Sequence, residues 1–225
     1  MVSGGVEKLG SVFNVSARGV DPGSGRTLMH AAVDAASEER ILQVVRELSN
    51  RIRASLGESR RQIAATDQAL EKATTPSLKA LQLYSQGMAL ITQLPARDGE
   101  WRTARSLFER AIEEDPEFAS AYVYLSWSWQ RGMPWADRAK QRAAAERALE
   151  LSQHATERER LFIRATYFQL HERREEARAA YEALVRLYPD HYWAVNNLLR
   201  LSGPDEALPY VLRLVIAAAT GFDRS

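Results

Sequence analysis

Cysteine is absent from the 225 residues, which removes disulfides, thiol nucleophiles and cysteine-ligated zinc from consideration and leaves the redox compartment open. Histidine is scarce: His30, His154, His171 and His191 fall on different predicted elements, at spacings that hold neither a metal nor the base of a nucleophile. The segment HERRE, His171 to Glu175, lacks the second histidine one turn on that a zinc-protease helix requires, because Glu175 stands there. Charge of one sign is lacking too. With 30 basic and 29 acidic side chains, no global field draws the chain to nucleic acid or to an anionic membrane. No apolar run reaches the roughly 18 to 20 residues that span a bilayer, and MVSGGVEKLG has no apolar core of a signal peptide. The expectation is a soluble, unexported chain if it is complete, cytoplasmic by default, with no metal and no cofactor.

Apolar residues make up 45% and charged residues 26%, an ordinary balance for one large or two small domains. The most organised stretch runs from Glu157 to Pro189. In its second half Ala177, Tyr181, Leu184 and Pro189 stand at offsets 0, 4, 7 and 12, and Ala104, Phe108, Ala111 and Pro116 repeat those offsets. Each set places a small residue, an aromatic and an aliphatic or small residue on one helical face before a proline stop. The small residue allows close helix approach and the aromatic fills the remaining gap.

This pattern resembles the tetratricopeptide (TPR) repeat of about 34 residues. The resemblance covers roughly Ser77 to Leu214 and implies stacked helical hairpins. The first repeat has Leu83, Gly87 and Leu90 at its seam, an inserted loop at Pro95 to Gly99 and a second helix from Glu100 to Glu114. A second opens after Pro116 with Tyr122, Leu125 and Trp129, and continues as an alanine-rich helix, Arg138 to Leu151, with Ala145 and Ala148 in phase. A fourth, from Tyr192, has Leu198 in place, then SGPDEALP and a last apolar helix, Tyr210 to Ala219. Val211, Leu212, Leu214, Val215 and Ile216 leave that helix almost no polar face, so it is either buried, self-associating or followed by more chain.

The N-terminal part follows a different rule. Val12 to Val20 and Thr27 to Val33 alternate as strands around DPGSGR, with Phe13, Val15 and Ala17 on one face and Leu28 and His30 beginning a similar alternation. The turn sequence GSGRT is no phosphate-binding loop: Val20 stands where the Walker pattern needs its first glycine, Arg26 where it needs lysine, and a strand follows. A helix comes next, with Ser37 as N-cap, Ile41, Val45, Leu48, Ile52 and Leu56 as its buried stripe and Gly57 as its stop. Its six arginines, Arg40 to Arg61, read as a solvated face. The order GSVFNVSARGVDPGSGRTL, SEERILQVVRELSNRIRASLGES, ATTPSLKALQLYSQG is similar to the region joining a small α/β domain to TPR repeats in bacterial regulators, among them serine/threonine kinases with TPR tails. That resemblance implies a fragment or internal start, and the tail of a membrane-anchored protein as the alternative location. Kinase motifs are absent from the chain.

The predicted fold class is therefore mainly α: a TPR-type helical-hairpin superhelix (77–225) preceded by a partial α/β segment of hairpin plus helix (1–58) and a connector (59–76). The predicted function is non-catalytic protein or peptide binding, with the detached regulatory tail of a kinase as the alternative. Projecting the family's groove positions onto first helices gives Tyr84, Met88, Val123, Trp127, Phe162, Thr166, Trp193 and Asn196, with Gln130, Arg131, Gln169 and Arg200 as polar contacts. Asn196 and Asn197 do not by themselves make the carboxylate clamp of chaperone-binding TPR proteins.

Overall fold

A computed structural model describes residues 2–21, 23–55, 57–61, 63, 75–92, 98–130, 137–189, 191–203 and 206–212. The chain divides into two compact units, Met1–Leu78 and Lys79–Ser225. It is mainly helical, with a small antiparallel sheet at the N-terminus.

The first unit is a three-stranded meander, β1 (Val2–Leu9), β2 (Val12–Val20) and β3 (Thr27–Ala35), followed by a 3-10 turn, Glu38–Arg40, and the helix α1 (Ile41–Ser55). The expected hairpin is thus extended by β1, which pairs with β2 through Leu9↔Val12 across a turn where Gly10 adopts φ 65. In the DPGSGR turn the Asp21 carboxylate accepts from Gly23 N–H at 3.0 Å and from the Ser24 hydroxyl at 2.7 Å, and these bonds hold it below its ordinary range. A phosphate loop would instead leave its N–H groups free for a ligand.

Register decides which face is covered. Phe13↔Ala35, Val15↔Val33 and Ala17↔Ala31 place those residues together under α1, whereas Leu28 and His30 alternate on the solvent side. The inward residues of β3 are the odd-numbered ones. α1 buries Ile41, Leu42, Val44 and Leu48, with Val45 and Ile52 only partly covered, so the buried face is turned toward Leu42 and Val44 from the expected stripe. Ser37 occupies the N-cap of the 3-10 turn without a side-chain bond. The helix ends at Gly57 (φ 94), where Gly57 N–H reaches Ala54 O at 3.1 Å and Glu58 N–H reaches Arg53 O at 3.0 Å, a Schellman closure. Leu56, Gln62 and residues 64–74 of the expected connector lie outside the described residues.

The second unit contains α2 (Leu78–Thr92), α3 (Asp98–Glu114), α4 (Ala119–Gln130), α5 (Arg138–Leu151), α6 (Glu157–Leu170), α7 (Arg174–Leu187) and α8 (Tyr192–Leu201). From α3 to α8 each helix packs against the next. Ala104, Phe108, Ala111, Ala177, Tyr181 and Leu184 are all fully buried, so both copies of the repeated spacing face the same kind of seam. At the first seam Gly87 lies against Phe108, with a hypothetical Cβ only 2.6 Å from Phe108 Cε1. Pro116 and Pro189 follow the ends of α3 and α7.

No proline closes the second repeat, and the structure shows the substitute. α5, opened by Asp137 accepting from Ala139 and Lys140 N–H at 3.0 Å, runs into the 3-10 turn Ser152–His154. Thr156 and Glu159 then form a reciprocal capping box that starts α6. HERRE is the α6–α7 turn, closed by Arg173 N–H to Phe168 O and Glu172 N–H to Gln169 O, with Glu172 at φ 62. α3 starts at Asp98, inside the expected inserted loop, whose residues 95–97 lie outside the described set. Residues 206–212 are helical, an earlier start than Tyr210, and the rest of the expected apolar helix is outside the described residues. Among the described residues no helix is long and apolar enough to cross a membrane.

Candidate partner-binding pocket

α4 is the helix on which the inner face is built. Its sequence, ASAYVYLSWSWQ, mixes small and aromatic residues on every side, and the structure buries Ala119, Ser120, Ala121, Val123, Tyr124, Ser126, Trp127 and Ser128. Two serine hydroxyls return to their own helix, Ser126 to Val123 O and Ser128 to Leu125 O, each at 2.6 Å, which lets them be buried at low cost. Ser120 donates to Glu159 at 2.6 Å and ties α4 to the start of α6.

Tyr124 is the hub of the aromatic packing. Its ring meets Tyr84 at 5.8 Å, Phe108 at 5.9 Å, Phe162 at 6.0 Å and Trp193 at 6.3 Å. Burial raises the phenol of Tyr124, and that of its hydrogen-bonded neighbour Tyr84, above the ordinary value. Trp193 also meets Trp101 edge to face, at 6.5 Å and 73°. α8 therefore reaches α3. Beside this contact lies a small concavity lined by Trp101, Tyr124, Trp127, Trp193, Asn196, Asn197 and Arg200.

Four of the twelve residues projected from sequence are brought together there: Trp127, Trp193, Asn196 and Arg200. Others are placed differently. Val123, Phe162 and Thr166 are buried at 1%, 5% and 1% exposure, and Met88 is buried as well; their side chains pack the core and do not line this concavity. The physical reason is that α4 and α6 are flanked on both sides by other helices, so residues on a first helix are not all at an open face. Thr166 lies 3.4 Å from the Tyr181 hydroxyl, and Tyr84 is half-buried among Phe108, Phe118 and Tyr124. Gln169 is half-buried, away from the pocket lining. The side chain of Gln130 and all of Arg131 lie outside the described residues.

Trp101, Tyr124 and Asn197 were not in the projection. Trp101 sits three residues before Ala104 on a second helix, which a rule that searches first helices passes over, and no local signal marks its meeting with Trp193.

The pocket's chemistry is one-sided. Indole N–H groups donate and cannot accept, Arg200 donates only, and the asparagines do both. The Nε1 atoms of Trp127 and Trp193 are shielded from solvent and find no hydrogen-bond partner among the described residues. The described lining contains no carboxylate.

The histidines have structural surroundings. His191 caps α8 by accepting from Ala194 N–H at 3.2 Å and stacks on Phe162 at 4.7 Å. His171 stacks on Tyr167 at 4.2 Å and bonds Glu146 at 2.9 Å. His30 and His154 are exposed. Among the described residues no group of three histidine, aspartate or glutamate side chains could hold a metal ion.

No family model and no curated protein matches the sequence. Among solved structures the chain is similar to the first TPR domain of Spaghetti (RPAP3) bound to the HSP90 peptide SRMEEVD. The identity is 21%, with 56% of this chain and 94% of that chain covered, and the TM-score is 0.40.

Proposed function

We propose that this chain is a non-catalytic interaction module that receives a segment of a protein partner at the tryptophan pocket of its helical array. The supporting observation is the pocket itself: side chains from α3, α4 and α8, far apart in sequence, converge on one concavity. The concavity is small, so a contact there would rest on a single anchoring side chain, and a few anchors dominate such affinities.

Screening the full chain against a random peptide library tests the reading. Binders should be recovered by the wild type and lost, by at least tenfold in Kd, in the double variant Asn196→Ala/Arg200→Ala, with helicity unchanged. Recovery of no binders, or equal binding by the variant, would remove the pocket as the interaction site.

A finer reading makes the chain the regulatory tail of a bacterial serine/threonine kinase or a similar signalling protein. It is supported by the resemblance of LGES and ATTPSLKALQLYSQG to such tails, and sequencing the gene upstream of Met1 tests it. Self-association through the last helix is a further proposal, supported by the exposure of Leu208, Val211 and Leu212. Sedimentation of a Leu208→Lys/Leu212→Lys variant against wild type tests that one.

A further inference from the structure

We infer that the free edge of β1 pairs with β1 of a second copy of this chain, antiparallel about a two-fold axis at Val6, so that two three-stranded sheets join into one. The inference concerns the first unit alone and goes beyond the interaction reading above.

The edge lacks the devices that keep a strand from pairing. β1 stands at one side of the order β1–β2–β3, so alternate residues turn their N–H and C=O groups away from β2. Its 8 residues exceed the common strand length of about 5 to 6, contain no proline, and pair with β2 from Val2 to Leu9 without a bulge. Ser3 to Leu9 are all exposed, and Gly4 and Gly5 leave the backbone there without side-chain cover. The opposite edge, β3, is interrupted near its start, where the pairing shifts between Gly19 and Val20.

The sheet face beside β1 is also incomplete. α1 lies over β2 and β3, and the core beneath it draws on those two strands and not on β1. Val6 pairs with Val15 on the side that α1 covers, yet Val15 is 3% exposed and Val6 52%.

Symmetry then chooses the register. Directly opposite residues of an antiparallel pair share a face, so a two-fold pairing of β1 with itself centres on one residue that meets its own copy. An axis at Glu7 or Lys8 sets like charges opposite each other, which is destabilising. An axis at Gly4 pairs only Val2 to Val6, and one at Gly5 sets each Val6 against a glycine. With the axis at Val6, all of Ser3 to Leu9 is paired, the two valines meet, and Glu7 and Lys8 face Gly5 and Gly4 of the second copy. Val33, Val15 and Val6 of one copy then continue into Val6, Val15 and Val33 of the other as one apolar row. Lys8 does not block the seam, because its ammonium lies 5.4 Å from the ring centroid of Phe13 on its own β2.

The test uses the full chain, whose lack of cysteine makes any introduced thiol the sole one. In this register the Cα atoms of the two Val6 residues lie about 4.5 to 5.5 Å apart, within the span of a disulfide, whereas those of the two Ser3 residues lie about 20 Å apart. Under mild oxidation Val6→Cys should give at least tenfold more disulfide-linked dimer than Ser3→Cys. Sedimentation equilibrium is run on Leu208→Lys/Leu212→Lys, so that the last helix does not contribute. That chain should dimerise, and adding Val6→Lys should raise the dimer Kd at least tenfold with helicity unchanged. If the lysine variant does not fold, the thiol pair decides alone. Equal cross-linking at Ser3, a chain that stays monomeric in the centrifuge, or a dimer that a folded Val6→Lys variant leaves intact would overturn the inference. Each of these leaves the pocket reading standing, because the peptide screen does not involve β1.

Discussion

A single glycine shows how local preference and packing can point in opposite directions. Alanine is normally favoured over glycine inside a helix by about 0.8 to 1 kcal/mol, yet Gly87 lies so close to Phe108 that a Cβ would approach Cε1 to 2.6 Å, Cζ to 3.0 Å and Cδ1 to 3.1 Å. Phe108 is fully buried and has no free direction to retreat. Gly87→Ala should therefore destabilise the chain by about 1 to 3 kcal/mol, seen as a lower urea midpoint at unchanged slope; a raised midpoint would show that the ring can yield. Trp127 gives a second case. At 9% exposure and packed within the main core cluster, it cannot be a removable anchor only. Trp127→Ala should cost about 3 to 5 kcal/mol of stability, so loss of partner binding in that variant would say nothing about the pocket unless its circular dichroism melt were also recorded. Asn196 and Arg200, half-buried and exposed, are the positions at which binding can be probed apart from folding.

Helix ends carry the next level of information. α1 and α6 finish with the same pair of hydrogen bonds, but the left-handed position is Gly57 in one and Glu172 in the other. A left-handed conformation costs a side-chain-bearing residue about 1 to 2 kcal/mol, while the bonds of Glu172 to Arg138 and Arg142 are exposed and worth about 0 to 1 kcal/mol. Glu172→Gly should raise the thermal midpoint by a few degrees, and a fall would mean that the ion pairs outweigh the strain. Arginine caps recur between hairpins as well. Arg142 on α5 donates to Leu170 O at the end of α6, and Arg174 on α7 donates to Leu201 O at the end of α8. Both stand three residues before the buried small residue of their own helix, Ala145 and Ala177. The corresponding place before Ala104 is taken by Trp101, which turns to the pocket. Replacing Arg142, whose bond is partly buried, with alanine should cost about 0.5 to 1.5 kcal/mol, seen in urea titration, and the exposed bond of Arg174 should matter less. Lysine, which lacks the planar fork, should restore only part of the loss; full recovery would mean that charge alone suffices.

For the whole molecule, pH reports how tightly the array is packed. Burial raises the phenols of Tyr124 and Tyr181 above their ordinary value near 10, because the interior disfavours phenolate. In the unfolded chain both groups ionise near pH 10, whereas in the folded chain they stay protonated, so the unfolded state gains stability as pH rises past that point. The contribution is complete below pH 10 and declines above it. Tyrosinate absorbance at 295 nm should consequently rise in two phases, exposed phenols first and the buried Tyr84, Tyr124 and Tyr181 only together with loss of helical dichroism; a single phase complete before unfolding would show that the interior admits water. At this scale the division between sequence and tertiary structure becomes plain. The small–aromatic–aliphatic spacing in α3 and α7, the alanine phase of α5, the glycine stop of α1 and the β2–β3 hairpin were legible from sequence, because each depends on neighbours within a turn or two of the same element. The strand β1 was not, since Gly4 and Gly5 interrupt its alternation and only pairing with β2 makes it a strand. Nor could spacing tell which projected groove residues are sealed in the core. Val123 and Phe162 obey the same periodicity as Trp193, and which of them is sealed depends on helices remote in the chain. Trp193 meets Trp101 and Tyr124 through contacts between such remote residues, whose energy belongs to the assembled surface and to no local pattern.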